Sequence, residues 1–166
     1  MKRDIYSKLL DWKLSPRRKP LILKGARQVG KTYILTQFGE NEYEKVAYFN
    51  FETTPSLNAF FEQNIDPHQI ITNLSFQIGF DILSEKHLII FDEIQNSNNA
   101  LNSLKYFNEQ ANEYHITCAG SMLGLQLNKP KSFPVGKVNF LDLFPMSFNE
   151  FIRAIGKTKL FEYIDT

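Results

Sequence analysis

The sequence is poor in features that mark several large classes of protein. It has a single cysteine, Cys118, so no internal disulfide can form. No apolar run approaches the ~20 residues that a helix needs to cross a bilayer. The N-terminus lacks the apolar centre of a signal peptide, because Asp4 and Asp11 interrupt it. These absences predict a cytoplasmic protein without a membrane segment.

The sequence also has no metal-ligand pattern, no repeat and little net charge. The three histidines, His68, His87 and His115, show no ligand spacing with cysteine or acidic residues, so no structural metal is predicted. The formal net charge is only +1, and there is no repeat or low-complexity tract. What remains is a chain of 166 residues with ordinary apolar content, which suits one globular domain.

Charge is nevertheless concentrated near the N-terminus. Residues 1–19 contain seven basic and two acidic side chains. Ile5, Leu9 and Trp12 recur among them at helical spacing, which predicts a basic amphipathic helix packed on the domain. A nucleic-acid patch is the less favoured interpretation, and it would require binding that weakens steeply with salt.

The most informative segment is a glycine-rich loop that fits the pattern G-x-x-x-x-G-K-[ST]. A predicted strand, Leu21 to Leu23, precedes it, and a predicted helix from Tyr33 to Phe38 follows, which is the context that this phosphate-binding motif needs. Its main-chain N–H groups and the helix N-terminus are expected to surround phosphate oxygens. The residues expected to contact the nucleotide are Gly25, Ala26, Arg27, Gln28, Val29, Gly30, Lys31, Thr32 and Tyr33.

Two side chains of the loop have predicted chemical roles. Lys31 is expected to bridge the β- and γ-phosphates of ATP, and the Thr32 hydroxyl is expected to bind Mg²⁺. The structural alternative, a glycine turn followed by a surface lysine, is much less favoured because strand and helix flank the motif.

A second motif ends the apolar run His87 to Phe91, which predicts a strand buried on both faces. Asp92 and Glu93 follow at the carboxyl end of this strand, where open α/β sheets bind their ligands. Asp92 is expected to hold Mg²⁺, and Glu93 to deprotonate the attacking water. Alone, such an acidic strand end would be a common solvated feature. The phosphate loop makes the functional interpretation the stronger one.

Another predicted strand, Lys45 to Glu52, lies between the two motifs, followed by predicted helices over Pro55–Gln63 and Pro67–Leu83. A strand inserted at this point is typical of phosphate-loop proteins that keep a catalytic glutamate. Asn50 and Glu52, at its carboxyl end, are candidates to orient water or Mg²⁺, although a solvated strand end is nearly as well supported.

These motifs resemble a prokaryotic AAA-type ATPase family whose phosphate loop reads GARQVGKT, as it does here. The resemblance covers nearly the whole chain and implies an ATPase domain over residues 20–156. Family members continue into a C-terminal domain, of which residues 157–166 would be the truncated start. The chain is therefore expected to be an isolated module, a fragment or a truncated product. The further matching segments are Asn50–Glu52, Phe91–Gln95, Ala119–Ser121, Val135–Lys137 and Pro145–Phe151.

The second half of the chain completes the predicted fold. A helix capped by the segment Ser97–Asn99, a fourth strand over His115–Ala119 and a fifth over Val138–Leu143 are expected. A capping box of Ser147 and Glu150 is then expected to begin a last helix, which makes Glu150 structural. The sequence thus predicts a three-layer α/β phosphate-loop fold of the AAA+ type, with a five-stranded, mainly parallel sheet and the additional strand.

The resemblance also suggests roles for two positions near the γ-phosphate. Ser121, at the tip of the fourth strand, is where related ATPases keep a sensor, although a simple turn is an equally good interpretation. Lys137 replaces the arginine that the family usually has after Gly136. Lysine keeps the charge but loses the flat, two-pronged donor geometry, which puts an arginine-finger role in doubt.

The predicted function is hydrolysis of Mg-ATP by direct attack of water, slow in isolation and coupled to movement of a C-terminal domain, a partner or a second copy. A GTPase is disfavoured because the nearest guanine-reading match, Asn128 to Lys131, has lysine in place of the required carboxylate. A small-molecule kinase is disfavoured because the last third of the chain has only Arg153. The remaining alternative is a nucleotide-gated module that binds protein or DNA with little turnover, and nothing in the sequence supports DNA specifically.

Overall fold

The computed structural model describes residues 3–63, 65–121 and 136–156. The strands are β1 (Leu21–Lys24), β2 (Lys45–Asn50), β3 (His87–Asp92), β4 (His115–Ala119) and β5 (Asn139–Asp142). The helices are α1 (Ile5–Leu14), α2 (Lys31–Glu42), α3 (Asn58–Glu62), α4 (Pro67–Ile78), α5 (Asn98–Gln110) and α6 (Phe148–Ala154), with short 3-10 turns at Pro55–Leu57 and Ile94–Asn96.

The five strands form one sheet in the order β2-β3-β4-β1-β5, and every pairing between neighbours is parallel. The predicted fold class is therefore confirmed, with an additional strand between β1 and β3: β2 lies between them in sequence, and β4 lies between them in the sheet. Strands β3 and β4 are buried along their whole length, as expected for continuous apolar runs in a sheet covered on both faces. This order places the carboxyl ends of β3, β4 and β1 next to one another.

Two hydrophobic cores lie on opposite faces of the sheet. Alternate side chains of β3 supply both of them: Ile89 and Phe91 pack in one core, and Leu88 and Ile90 in the other. The first core includes apolar residues of α3, α4 and α5, and the second includes those of α1 and α2. Helices on both faces of a parallel sheet give the three-layer arrangement.

Helix α1 packs on the α2 side of the sheet through the residues whose spacing predicted it. Ile5, Leu9 and Trp12 are buried in the second core, and the Trp12 indole donates a hydrogen bond to the carbonyl of Lys19 at 2.8 Å. This apolar face anchors α1, but only two of the basic residues of the segment, Lys8 and Lys13, lie on the helix itself. Among the described residues, no helix has the length and apolar character required to span a bilayer.

Two predicted boundaries are wrong, each for a local reason. The helix predicted to reach Leu83 stops at Ile78, because Gly79 adopts a left-handed conformation with φ 84° and ends it. The strand predicted to reach Glu52 stops at Asn50, whose side-chain oxygen accepts hydrogen bonds from the main-chain N–H groups of Glu52 and Thr53 and turns the chain. The loop expected over residues 122–134, the guanine-motif comparison at 128–131 and the C-terminal start at 157–166 lie outside the described residues.

The predicted capping box of α6 is present, and its glutamate also ties α6 to the N-terminus. Ser147 and Glu150 exchange the two hydrogen bonds of the box. The other Glu150 oxygen accepts hydrogen bonds from the Arg3 guanidinium and from the Asp4 main-chain N–H, each at 2.9 Å. Arg3 also donates to the carbonyl of Phe144 at 2.7 Å. Arg3 and Glu150 are almost fully buried, so this ion pair lies inside the molecule.

This cluster makes stability depend on acidity. Burial would raise the pKa of Glu150, but the N–H donors of Asp4 and Ser147 and the Arg3 guanidinium outweigh it and lower the pKa from 4.5 to about 2. Because the pKa of Glu150 is lower in the folded state than in the unfolded state, this group stabilises the protein at pH values above about 4.5. This contribution is lost as the pH falls from about 4.5 to about 2. Glu150→Gln is therefore expected to lower the free energy of unfolding by about 3 kcal/mol near neutral pH.

Urea unfolding at several pH values would check this expectation. The difference between wild type and Glu150→Gln should shrink as the pH is lowered from about 4.5 to about 2, because Glu150 takes up a proton in the unfolded wild-type chain before it does so in the folded protein. Asp142→Asn is the matched control, since Asp142 pairs with Lys24 at 3.2 Å but is half-exposed, and its loss should cost no more than about 1 kcal/mol. A Glu150→Gln difference that is the same at every pH would contradict the assigned role.

Candidate active site

The glycine-rich loop connects the carboxyl end of β1 to the first turn of α2. Gly30 precedes α2 with φ 97°, a left-handed conformation that glycine adopts without strain. Gly25 is constrained by a close approach instead: a Cβ at this position would lie 2.4 Å from the main-chain oxygen of Leu143. The two glycines of the motif therefore serve different needs, one of backbone conformation and one of space.

Lys31 extends back over the loop that precedes it. Its ammonium donates hydrogen bonds to the carbonyls of Gly25 at 2.9 Å and Ala26 at 2.7 Å, and the residue is only 7% exposed. Burial lowers the pKa of Lys31, and the nearby carboxylates of Glu93 and Asp92 act in the opposite direction. The Lys31 side chain is thus held against a glycine-rich loop at a helix N-terminus, an arrangement that suits an anionic ligand.

The two sequence motifs meet through a direct hydrogen bond. The Thr32 hydroxyl donates to one oxygen of Asp92, Oδ2, at 2.8 Å, although the two residues are 60 positions apart. Asp92 is 4% exposed and ends β3, whereas Thr32 lies in the first turn of α2. The sheet order allows this contact because only β4 separates β3 from β1, the strand that precedes the loop.

The pair of Thr32 and Asp92 has the ligand chemistry of a magnesium site. Magnesium prefers oxygen ligands and commonly takes one or two carboxylates together with substrate phosphates and water. Within the described part of the chain, no group of three or more histidine, cysteine or acidic residues is placed to hold a metal. The donor set present here therefore fits a cation that is completed by phosphate oxygens.

Glu93 follows Asp92 in a left-handed conformation with φ 50°, which is uncommon for a residue other than glycine. Such conformations are concentrated at functional sites, where the surrounding structure maintains them. The Glu93 main-chain N–H donates to Asp92 Oδ1 at 3.0 Å, and the Gln95 side-chain amide donates to the Glu93 carboxylate. The sequence interpretation gave Gln95 no role.

Tyr48 is a site residue that the sequence interpretation missed. Its hydroxyl donates to Asp92 Oδ2 at 2.6 Å and accepts a hydrogen bond from the Asn50 side-chain amide at 3.2 Å. Burial, followed by the hydrogen bond to Asp92, raises the pKa of Tyr48 to about 12, so the phenol stays protonated. The available signal was positional: Tyr48 lies two residues before Asn50 and therefore on the same face of β2.

The remaining predicted residues have different relations to this centre. The Asn50 side chain donates a hydrogen bond to the Tyr48 hydroxyl and accepts one from the main chain of the following turn. Glu52 lies just past β2 and is exposed. Ser121 is partly buried and comes just after β4, between the strands that carry the loop and the acidic pair. Lys137 precedes β5 at the amino end of the sheet, opposite the loop, and pairs with Glu109 at 2.9 Å. Within its own chain, Lys137 therefore lies away from the site.

A cleft of about 630 Å³ opens beside the loop. One wall comes from the loop and the first turn of α2, including Tyr33, which is 53% exposed. The other wall comes from Arg3, Pro145 and Met146, which are distant in sequence and are held together by the Glu150 cluster. No local pattern marked these three residues as part of a site.

Known proteins share the family or the fold of this chain. The model of an AAA domain family matches residues 17–152. A structure of the Aeropyrum pernix ORC1 protein in complex with DNA matches with 16% identity and a TM-score of 0.51, over 95% of this chain and 47% of that one. The AMPPCP-bound DnaA of Aquifex aeolicus matches with 14% identity and a TM-score of 0.50, over 96% of this chain and 49% of that one.

The two solved structures show similarity of fold, and this chain spans about half the length of each. No curated protein matches the sequence significantly.

Proposed function

The chain belongs to the AAA domain family, and we propose that it binds Mg-ATP and hydrolyses it to ADP and phosphate. The observation that carries this proposal is the hydrogen bond between Thr32 and Asp92, close to the loop that holds the Lys31 ammonium. The two motifs are remote in sequence, and neither hydrophobic packing nor turn formation requires them to meet.

Binding would rely on the loop and on the cleft beside it. The main-chain N–H groups between Gly25 and Thr32, together with the N-terminus of α2, would receive the phosphates. The Lys31 ammonium would exchange its two carbonyl partners for phosphate oxygens, which bind a cation more strongly because they are charged. The nucleoside would lie in the cleft beside the loop, which is lined by Arg3, Tyr33 and Met146.

Hydrolysis would depend on positioning and charge. Thr32 and Asp92 would hold Mg²⁺, which when bound neutralises charge on the transferring phosphoryl group. Glu93, just after the carboxyl end of β3, would orient a water and accept its proton, a contribution of about 10²–10⁴-fold. Ser121, after β4, would contact the γ-phosphate or that water.

A second candidate function is a nucleotide-gated module that binds another protein and turns over little ATP. An exposed apolar surface favours it. Phe148, Phe151 and Ile155 recur at helical spacing in and just after α6 and are 61%, 50% and 47% exposed, and Phe144 nearby is 72% exposed. The residues of this surface flank Pro145 and Met146, which form part of the cleft wall. A movement of that wall on nucleotide binding would therefore reach this surface, and through it a C-terminal domain or a partner.

Calorimetry with ATP and a phosphate-release assay distinguish the two functions. We expect Mg²⁺-dependent ATP binding and slow turnover, below about 1 s⁻¹, at the low end for enzymes. Added DNA is expected to change neither quantity, whereas stimulation that disappears with salt would indicate nucleic-acid binding. ATP binding without any phosphate release would favour the gated module, and failure to bind ATP would overturn both candidates.

A further inference from the structure

Both oxygens of Asp92 are held in place by hydrogen bonds from three different segments. Oδ2 accepts hydrogen bonds from the hydroxyls of Thr32 at 2.8 Å and Tyr48 at 2.6 Å. Oδ1 accepts a hydrogen bond from the main-chain N–H of Glu93 at 3.0 Å. Thr32 comes from α2 and Tyr48 from β2. The orientation of the carboxylate is therefore determined by neighbours and not by its own backbone alone.

The pairing of β2 with β3 explains why Tyr48 reaches Asp92. Tyr48 is directly opposite Ile90, so Asp92, two residues further along β3, is its diagonal neighbour on the same face. Diagonal neighbours across a sheet are within reach of a long aromatic side chain. The ring thus spans from the edge strand towards the acidic strand end.

The Asn50 amide supports the hydrogen bond that Tyr48 donates to Asp92. Its nitrogen donates to the Tyr48 oxygen at 3.2 Å, so the single proton of the phenol is available for the carboxylate. Asn50 is itself held because its side-chain oxygen accepts from two main-chain N–H groups of the next turn. A connected set of hydrogen bonds therefore supports one oxygen of the predicted metal ligand.

We infer that Tyr48 is a positioning residue for the magnesium site: by holding Asp92 Oδ2, it keeps the carboxylate turned towards Thr32. This inference rests on the proposed function, since it concerns the cation that accompanies ATP. The Thr32 hydroxyl can turn its proton away from Asp92 and present a lone pair, whereas the phenol remains a donor to the carboxylate. Tyr48 touches no atom of the phosphate loop in the hydrogen bonds described, so its effect should be confined to the metal.

The test is Tyr48→Phe, which removes only the hydroxyl. Binding of Mn²⁺, a spectroscopic substitute for Mg²⁺, would be titrated by electron paramagnetic resonance in the presence of AMPPCP. Partners that orient a metal ligand typically contribute 10–100-fold to metal affinity, so we expect Mn²⁺ affinity to fall by at least about 10-fold. Nucleotide affinity measured in EDTA should be unchanged, which a general loss of structure would not allow.

Tyr106→Phe is the matched control, because Tyr106 lies on α5, in the layer across the sheet from the loop. It should leave Mn²⁺ affinity unchanged. Unchanged Mn²⁺ affinity in Tyr48→Phe would overturn the inference, and tighter binding would show that the hydroxyl competes with the metal. An equal loss of affinity in EDTA would also overturn it, by showing a structural role. Wild-type protein that binds no nucleotide would instead refute the proposed function itself.

Discussion

Lys31→Ala is expected to abolish measurable ATP binding. The Lys31 ammonium is buried against the loop and is held by the carbonyls of Gly25 and Ala26. Its removal leaves the phosphates without their charge-assisted donor in a site of restricted water access. Truncating one member of such a buried charged contact typically costs 2–5 kcal/mol, so we expect affinity to fall at least about 30-fold, and calorimetry with ATP and Mg²⁺ would measure it.

Lys24→Ala is the matched control for this experiment. Lys24 ends β1 immediately before the loop, but its ammonium pairs with Asp142 on β5, away from the loop carbonyls. Its loss should leave ATP affinity within about twofold, because a partly exposed ion pair contributes little. Thermal unfolding without nucleotide would verify that both variants are folded. Undiminished ATP affinity in Lys31→Ala would refute the role of the loop.

Glu93→Gln is expected to separate binding from turnover. Glutamine has the shape of glutamate and can still accept a hydrogen bond from Gln95, but it is not a base. ATP affinity should therefore remain close to that of the wild type, while phosphate release falls by about 10²–10⁴-fold. Single-turnover measurements with saturating Mg-ATP would show whether the loss lies in the chemical step.

The control here is Glu44→Gln, which removes an exposed carboxylate paired with Lys86 at the other end of β2. It should leave both binding and turnover unchanged. Undiminished phosphate release in Glu93→Gln would exclude Glu93 as the base. Glu52, exposed after β2, would then be the first alternative to examine.

The phosphate loop and the acidic strand end could be predicted because their signals are local. A glycine that takes a left-handed conformation, a lysine and a hydroxyl at consecutive positions, and a short apolar strand before them are all readable within a dozen residues. The same holds for the Ser147 and Glu150 capping box, whose two hydrogen bonds span three residues. Family analogy added the expectation of a strand between the loop strand and the carboxylate strand; β2 takes that place in the sequence, and β4 takes it in the sheet.

The end of α4 shows the limit of periodicity. Apolar residues continue at helical spacing to Leu83, but Gly79 ends the helix, and the main-chain N–H of Ile82 then donates to the side chain of Ser75 at 3.0 Å. A pattern of apolar residues indicates which side chains face the core. The same pattern is compatible with a helix and with a loop that packs on the core. The glycine was visible, but only its backbone conformation identified it as the end.

Tyr48 shows a second limit, which concerns partners on neighbouring strands. Its residue type and its place in a strand were predictable, yet its bond to Asp92 depends on the register of β2 against β3. A shift of one residue would have turned the ring to the opposite face of the sheet. The walls of the cleft at Arg3 and Met146 depend in the same way on contacts between the two ends of the described chain.

Short-range chemistry was therefore enough to identify the phosphate loop, the acidic pair and the kind of fold that presents them. Only the packed sheet shows that Thr32 and Tyr48 both donate hydrogen bonds to Asp92. It also shows that Lys137 lies at the end of the sheet opposite the loop, paired with Glu109. The physical reason is that motif residues take their conformation from neighbours in the chain, whereas hydrogen bonds between motifs depend on strand order and register, which only the assembled hydrophobic cores establish.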